Sequence, residues 1–257
     1  MTEERALSES IGFLFVFAAI VMMASIVYAT GFADLQDTRD FEQANNAERA
    51  FGILASNMED VSHGGAPSRA TEVQLDDDAE MYTGDSVYAD IYVVDQDDPD
   101  NNDSVHADIE PLVYESGDHK IVYANGAIFR SSGDSETMVR EPGFSISEDR
   151  VVLPMIRTYV PGDDRKIALG SDTVLVRGLN EHTHGIPYVA QPPADAESYD
   201  ISIVMHTERA ELWESYFTEQ DGIDEDDCEV DDGVLECELT DVDQVQASSV
   251  SVSLVFE

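Results

Sequence analysis

Residues 11–29 read IGFLFVFAAIVMMASIVYA, nineteen positions without a charged side chain. At a rise of ~1.5 Å per residue a helix of that length covers ~28 Å, close to the hydrocarbon thickness of a bilayer. A lone segment in lipid must satisfy its own backbone hydrogen bonds, so the run predicts a transmembrane helix over residues 11–30. A cleaved secretory signal is the alternative reading. Its apolar core is usually ~7–15 residues long and ends in a small-x-small site, whereas here the run is longer and continues in helical spacing.

Leu35, Thr38, Phe41, Ala44, Ala47, Phe51, Leu54, Met58 and Val61 recur at steps of three and four, the spacing of one helical face. No proline interrupts Thr2 to Ala66. The pattern predicts a continuous helix from about Ile11 to about Ser62, ~75 Å long. Its first half is apolar all round, while Asp37, Asp40, Glu42, Glu48, Arg49 and Glu59 supply solvated faces to the second. His63-Gly64-Gly65, followed by Pro67, stops it.

The chain carries 13 Lys and Arg against 55 Asp and Glu, a formal net charge of −42. Such a surface repels nucleic acid, which excludes that class of partner. A hydrophobic content of 42% with ten Phe and ten Tyr argues for a packed core rather than an acidic disordered chain. The simplest source of the acidity is a surface suited to very high salt, where repulsion is screened over short distances.

Cys228 and Cys237 are the two cysteines, and Asp232-Gly233 between them is a two-residue hairpin signal. Counting outward pairs Asp231 with Val234, Val230 with Leu235, Glu229 with Glu236, and Cys228 with Cys237. The cysteines then face each other at a non-hydrogen-bonded pair, ~4.5 Å apart at Cα, within reach of a disulfide. A bridge there suits an oxidising, extracytoplasmic compartment; two reduced thiols in a cytosolic hairpin are the alternative.

After Pro67 the period changes to two. Val87, Ala89, Ile91 and Val93 share one face, with Tyr88, Asp90 and Tyr92 on the other. Asn125-Gly126 signals a second hairpin, pairing Ala124 with Ala127 and Val122 with Phe129. Further strands are expected at Phe144–Ile146, Val151–Val160, Ile167–Val176 and Tyr199–His206, with a break at Gly170-Ser171-Asp172. Thr207 is the expected N-cap of a short helix reaching Gln220, whose apolar face holds Leu212, Trp213, Tyr216 and Phe217. Residues 248–256 alternate Val and Leu with Ser, one face buried and one wet. SSGDSE at residues 131–136 is a candidate split between two lobes.

The expected class is α+β: one long N-terminal helix packed on a mostly antiparallel β-sheet or sandwich head. Residues 1–10 form a leader segment, 11–30 the transmembrane helix, 31–65 its amphipathic continuation, and 66–257 an acidic, extracytoplasmic β-rich head.

The N-terminus reads Arg5-Ala6-Leu7-Ser8-Glu9-Ser10-Ile11-Gly12, then the apolar run, then the amphipathic helix. This arrangement resembles archaeal type IV pilin-like proteins, over roughly the first sixty residues. In that family a dedicated membrane peptidase removes a short leader; carried here, the cut falls between Ala6 and Leu7. Members often have proline and an apolar residue where this chain has Glu9 and Ser10. The resemblance implies a membrane-anchored, non-enzymatic subunit of a pilus-like filament or its machinery, serving assembly or adhesion. Its partners would be the lipid bilayer and, through the helix, copies of itself or other pilin-like subunits. Its N-terminus would be cytoplasmic and its head extracellular. The alternative is a single-pass surface binding module outside any filament.

No phosphate-binding glycine loop, nucleophile elbow, HExxH or CxxC is present, and neither catalysis nor a cofactor is expected. His182 and His184 would share a face on a strand, but sit in a Gly/Pro-bounded connection without further ligands nearby. Asp98, Asp100, Asn102 and Ser104 alternate like the first half of a calcium loop, yet Asp103 and Ile109 stand where such loops need Gly and Glu. Asn102-Asp103-Ser104 is the only glycosylation sequon, making Asn102 a candidate acceptor; an unmodified solvated loop is the alternative. Trp213, Tyr216 and Phe217 are better explained by a helix packing on a sheet than by a binding patch.

Overall fold

A computed structural model of the chain describes residues 3–76, 78–162, 166–170, 173–180, 188–189 and 198–257. It opens with α1 (Glu3–Ser62), followed by β1 (Ser68–Gln74), β2 (Ala79–Thr83), β3 (Val87–Asp95), β4 (Asn102–Ile109) and β5 (Leu112–Ser116). Next come β6 (His119–Ala124), β7 (Ala127–Ser132), β8 (Ser135–Arg140), β9 (Ser145–Ser147), β10 (Arg150–Tyr159), β11 (Lys166–Leu169), β12 (Thr173–Asn180) and β13 (Tyr188–Val189). β14 (Tyr199–His206), α2 (Ala210–Thr218), a 3-10 turn at Glu225–Asp227, β15 (Cys228–Asp231), β16 (Val234–Val242) and β17 (Gln244–Phe256) complete it.

The chain divides into two compact units, Met1–Gln43 and Ala44–Glu257. In the larger unit the strands form three sheets, ordered β1-β12-β17-β10-β9 with β13 also on β17, β11-β2-β5-β6-β7-β8, and β15-β16-β14-β3-β4. The expected α+β class is therefore corrected: the protein is mostly β and sandwich-like. Within the β-rich unit the helix supplies only residues from Ala44 onward. Ala44, Ala47, Phe51, Leu54, Met58 and Val61 are at most 3% exposed, whereas Phe41, on the same stripe by spacing, is 53% exposed. A period of 3.6 tells which face can be buried; it does not say how far a partner surface extends beneath it.

Phe51, Leu54, Ala55, Met58 and Val61 pack with Val73, Met81, Tyr114, Tyr123, Val176 and Leu254 in one core. Each large apolar side chain so buried contributes about 1.5–3 kcal/mol. Polar clamps flank that stripe. Arg130 Nη1 donates to Asn45 Oδ1 at 2.9 Å and Glu48 Oε2 at 2.7 Å. Arg140 Nη2 donates to Glu59 Oε1 at 3.0 Å, and Asn180 Nδ2 to the Val61 carbonyl at 2.7 Å.

A second core lies against α2. Trp213, Tyr216 and Phe217 are 1%, 5% and 0% exposed and meet Phe129 and Phe144 edge-on or stacked, with Phe129–Trp213 centroids 5.7 Å apart. The helix is shorter than expected and Arg209, not Thr207, is its N-cap. Thr207 Oγ1 instead accepts the Arg209 N–H at 3.2 Å.

Both hairpins have the register that their turns predict. Ala124 pairs with Ala127 and Val122 with Phe129, while Cys228 pairs with Cys237 and Asp231 with Val234. Asn125 and Asp232 take φ of 51° and 46°, the left-handed values that such two-residue turns require. The break at Gly170 falls between β11 and β12, as expected, and residues 131–136 form the turn of the β7–β8 hairpin rather than a boundary. One pairing is unexpected: β10 runs parallel to β17, Arg150 opposite Gln244 through Tyr159 opposite Ser253. β17 has strand neighbours on both edges, and Ser248 and Ser253 are buried while Ser249 and Ser251 stay partly exposed.

The expected transmembrane span is corrected as well. Among the described residues no helix is long and apolar enough to cross a membrane. A spanning helix needs ~20 consecutive apolar residues. The uncharged run of the sequence is nineteen residues, Ile11 to Ala29, and it includes Gly12, Ser25 and four alanines. The single-pass placement, with its cytoplasmic N-terminus and extracellular head, falls with that span.

Candidate functional site

Two features stand out. The first is the apolar stretch of α1 within the smaller unit. Phe13, Phe15, Met22 and Val27 are 72%, 72%, 65% and 69% exposed, and the large apolar residues between Phe13 and Tyr28 all lie at 47% or more. Residues apolar on every side of a helix cannot all be covered by one neighbouring sheet. Phe13 and Phe17, one turn apart, stack with centroids 6.3 Å apart, which stiffens one flank. A contiguous apolar surface of this kind marks a contact site, because isolated exposed hydrophobes are common but a continuous run is not.

The second feature is a group of charged side chains around Arg209, drawn from β2, β5, β6, β8 and the start of α2. Arg209 Nε donates to Glu136 Oε1 at 2.8 Å, and its guanidinium carbon lies 5.5 Å from the centre of the Phe129 ring. Ser131 Oγ donates to the same Glu136 oxygen at 2.9 Å. The Arg209 side chain is only 14% exposed, so the cation–π contact and the ion pair hold the guanidinium in one place. Among the described residues no acceptor meets its Nη1 or Nη2. Nearby, Glu115 Oε2 accepts from Tyr82 Oη at 2.5 Å and lies 3.3 Å from Lys120 Nζ. Burial, reinforced by that bond to Glu115, pushes the Tyr82 hydroxyl well above its ordinary pKa, so it stays a donor.

Cavities open on this group from several sides. One of about 210 Å³ is lined by Tyr82, Asp85, Lys120, Thr207, Glu208 and Arg209. Another, of about 450 Å³, borders Arg209 from the Lys120, His119 and Glu136 side. Sequence reading missed this site because its members lie far apart along the chain. The one available signal was that Lys120 is one of two lysines in the whole protein.

The residues singled out by sequence are placed as follows. Cys228 and Cys237 form the expected disulfide, their Cα atoms 4.1 Å apart. Ala6 and Leu7 lie within α1. Asn102 opens β4 and is exposed, its Nδ2 donating to the Pro99 and Asp100 carbonyls at 3.1 and 3.4 Å. The loop before it is pinned by the buried Asp95, which accepts from Asp97 N at 2.9 Å and Asn101 Nδ2 at 3.3 Å. Asp98, Asp100 and Ser104 occupy that loop and the start of β4. Among the described residues no group of three His, Cys, Asp or Glu is placed to hold a metal ion. His182 and His184 lie outside the described residues.

No curated protein and no solved structure matches the chain. Residues 5–255 match the family described as "Family of unknown function (DUF7289)", and because that match spans nearly the whole sequence, the chain belongs to that family.

Proposed function

We propose that the protein is a non-enzymatic assembly or adhesion subunit whose apolar helix packs among copies of itself while its acidic β-rich unit is displayed. The observation that carries this reading is the exposed run from Phe13 to Tyr28. A helix apolar on all sides buries that surface fully only when several partners surround it, and identical helices are the partners always at hand. The resemblance to archaeal type IV pilin-like proteins at the N-terminus supports the same reading. Processing between Ala6 and Leu7 belongs to it, and an intact mass lacking residues 1–6 is the expected result.

Sedimentation of the full chain in molar salt tests the assembly. Particles that grow with protein concentration are expected, and Phe17→Glu combined with Val21→Glu should leave monomers with unchanged near-UV circular dichroism. A wild-type chain that stays monomeric at high concentration would sink the proposal. The Arg209 cavity favours a second reading, a surface binding module that acts outside any filament; monomers that still capture a small ligand would support it.

A further inference from the structure

We propose that the 210 Å³ cavity beside Arg209 binds a small zwitterion of the α-amino-acid class. Three observations lead there. Arg209 presents an immobilised fork: its Nε is taken by Glu136, its guanidinium carbon lies 5.5 Å from the centre of the Phe129 ring, and Nη1 and Nη2 have no acceptor among the described residues. Two parallel N–H donors held at fixed spacing match the two oxygens of a carboxylate. Lys120, in the same wall, adds positive charge beyond its pairing with Glu115 at 3.3 Å.

The opposite character is present in that cavity too. Asp85 and Glu208 line it, and both are exposed. A plain anion would meet their repulsion, in a chain of net charge −42. A ligand with an ammonium group a few ångströms from its carboxylate satisfies both ends at once. Size sets the class: drug-sized ligands occupy ~300–1,000 Å³, so this cavity suits a much smaller molecule. The site lies wholly within the β-rich unit, and the inference does not depend on whether the apolar helix assembles.

The test uses the full-length protein in molar potassium chloride, titrated with alanine, acetate and methylammonium and followed by calorimetry and NMR shifts of the Arg209 guanidinium. Saturable alanine binding is expected, with acetate and methylammonium each at least tenfold weaker. Arg209→Lys keeps the charge but loses the fork, and should weaken alanine at least tenfold. Glu208→Gln changes an exposed side chain, so folding is not at stake; it should weaken alanine several-fold while acetate binds no more weakly, its repulsion relieved. Acetate binding as tightly as alanine, no saturable alanine binding by 50 mM, or alanine affinity indifferent to Glu208→Gln would each overturn the proposal.

Discussion

Gly178 on β12 lies directly under Met58 of α1: a Cβ at position 178 would stand 2.5 Å from Met58 Cε and 2.6 Å from its sulfur. Val252 on β17 closes the third side at 3.2 Å. The absent side chain at 178 is therefore what lets the helix settle onto the sheet, with Met58 fully buried.

Gly178→Ala should destabilise the β-rich unit by about 1–3 kcal/mol, the usual cost of overpacking a filled core. Met58→Ala alone should cost about 2–5 kcal/mol through the cavity it leaves. Because the new methyl would occupy part of that cavity, the double variant should be less destabilised than the sum of the two. Urea unfolding at fixed molar salt measures all three, and strict additivity would mean that the two positions do not touch.

Asn125 is a turn residue that is also buried, at 1% exposure. Its φ of 51° fits the turn, and its Oδ1 accepts the Ile156 N–H of β10 at 2.7 Å, tying the hairpin tip to a strand of another sheet. Asn125→Gly keeps the backbone conformation but strands that N–H, for an expected loss of about 1–3 kcal/mol. Asn125→Ala adds left-handed strain of about 1 kcal/mol or more on top. Equal midpoints for the two variants would show that the hydrogen bond, not the conformation, decides the site.

How much of this was legible depends on how local each signal is. The Asn125-Gly126 and Asp232-Gly233 hairpins were readable to the residue, because a two-residue turn fixes the register and alternation fixes the face. The buried stripe from Ala44 to Val61 was readable, apart from its start, because steps of three and four fix one face of a helix. The parallel pairing of Arg150–Tyr159 with Gln244–Ser253 was not, since β11 to β16 lie between its partners along the chain and no turn announces it. Ser253 looks like a solvated position until a neighbour covers it. The Arg209 group was invisible for that reason as well: Tyr82, Lys120 and Glu136 meet it only through tertiary packing. The apolar run from Ile11 to Ala29 reads as a membrane span from its length and composition, yet among the described residues no helix is long and apolar enough to cross a membrane.

The Cys228–Cys237 bridge closes a short loop between paired strands, and both residues are buried. Loop-entropy reasoning assigns such a bridge about 2–3 kcal/mol. Reduction in urea should lower the unfolding midpoint by a matching amount, with Cys228→Ser plus Cys237→Ser behaving like the reduced protein. A midpoint indifferent to reductant would mean that the hairpin is held by β14 alone, which pairs with β16 on its other edge.

His63 follows the C-terminus of α1, where Ser62 Oγ and His63 Nδ1 are 2.7 Å apart. Burial lowers its pKa below 6.5, a shift only partly opposed by the neighbouring Glu59 carboxylate. A base whose folded pKa is lowered is protonated first in the unfolded chain, so acid favours unfolding. Its contribution is intact above pH 6.5 and is lost as the pH falls from there toward the lowered folded value. His63→Gln keeps a polar group but cannot titrate. The midpoint difference between wild type and His63→Gln should therefore shrink on going from pH 8 to pH 5.5, in molar salt, while the carboxylates common to both chains cancel. A difference that grows with acid would reverse the sign, and would mean that the imidazolium is stabilised at the helix end rather than excluded from it.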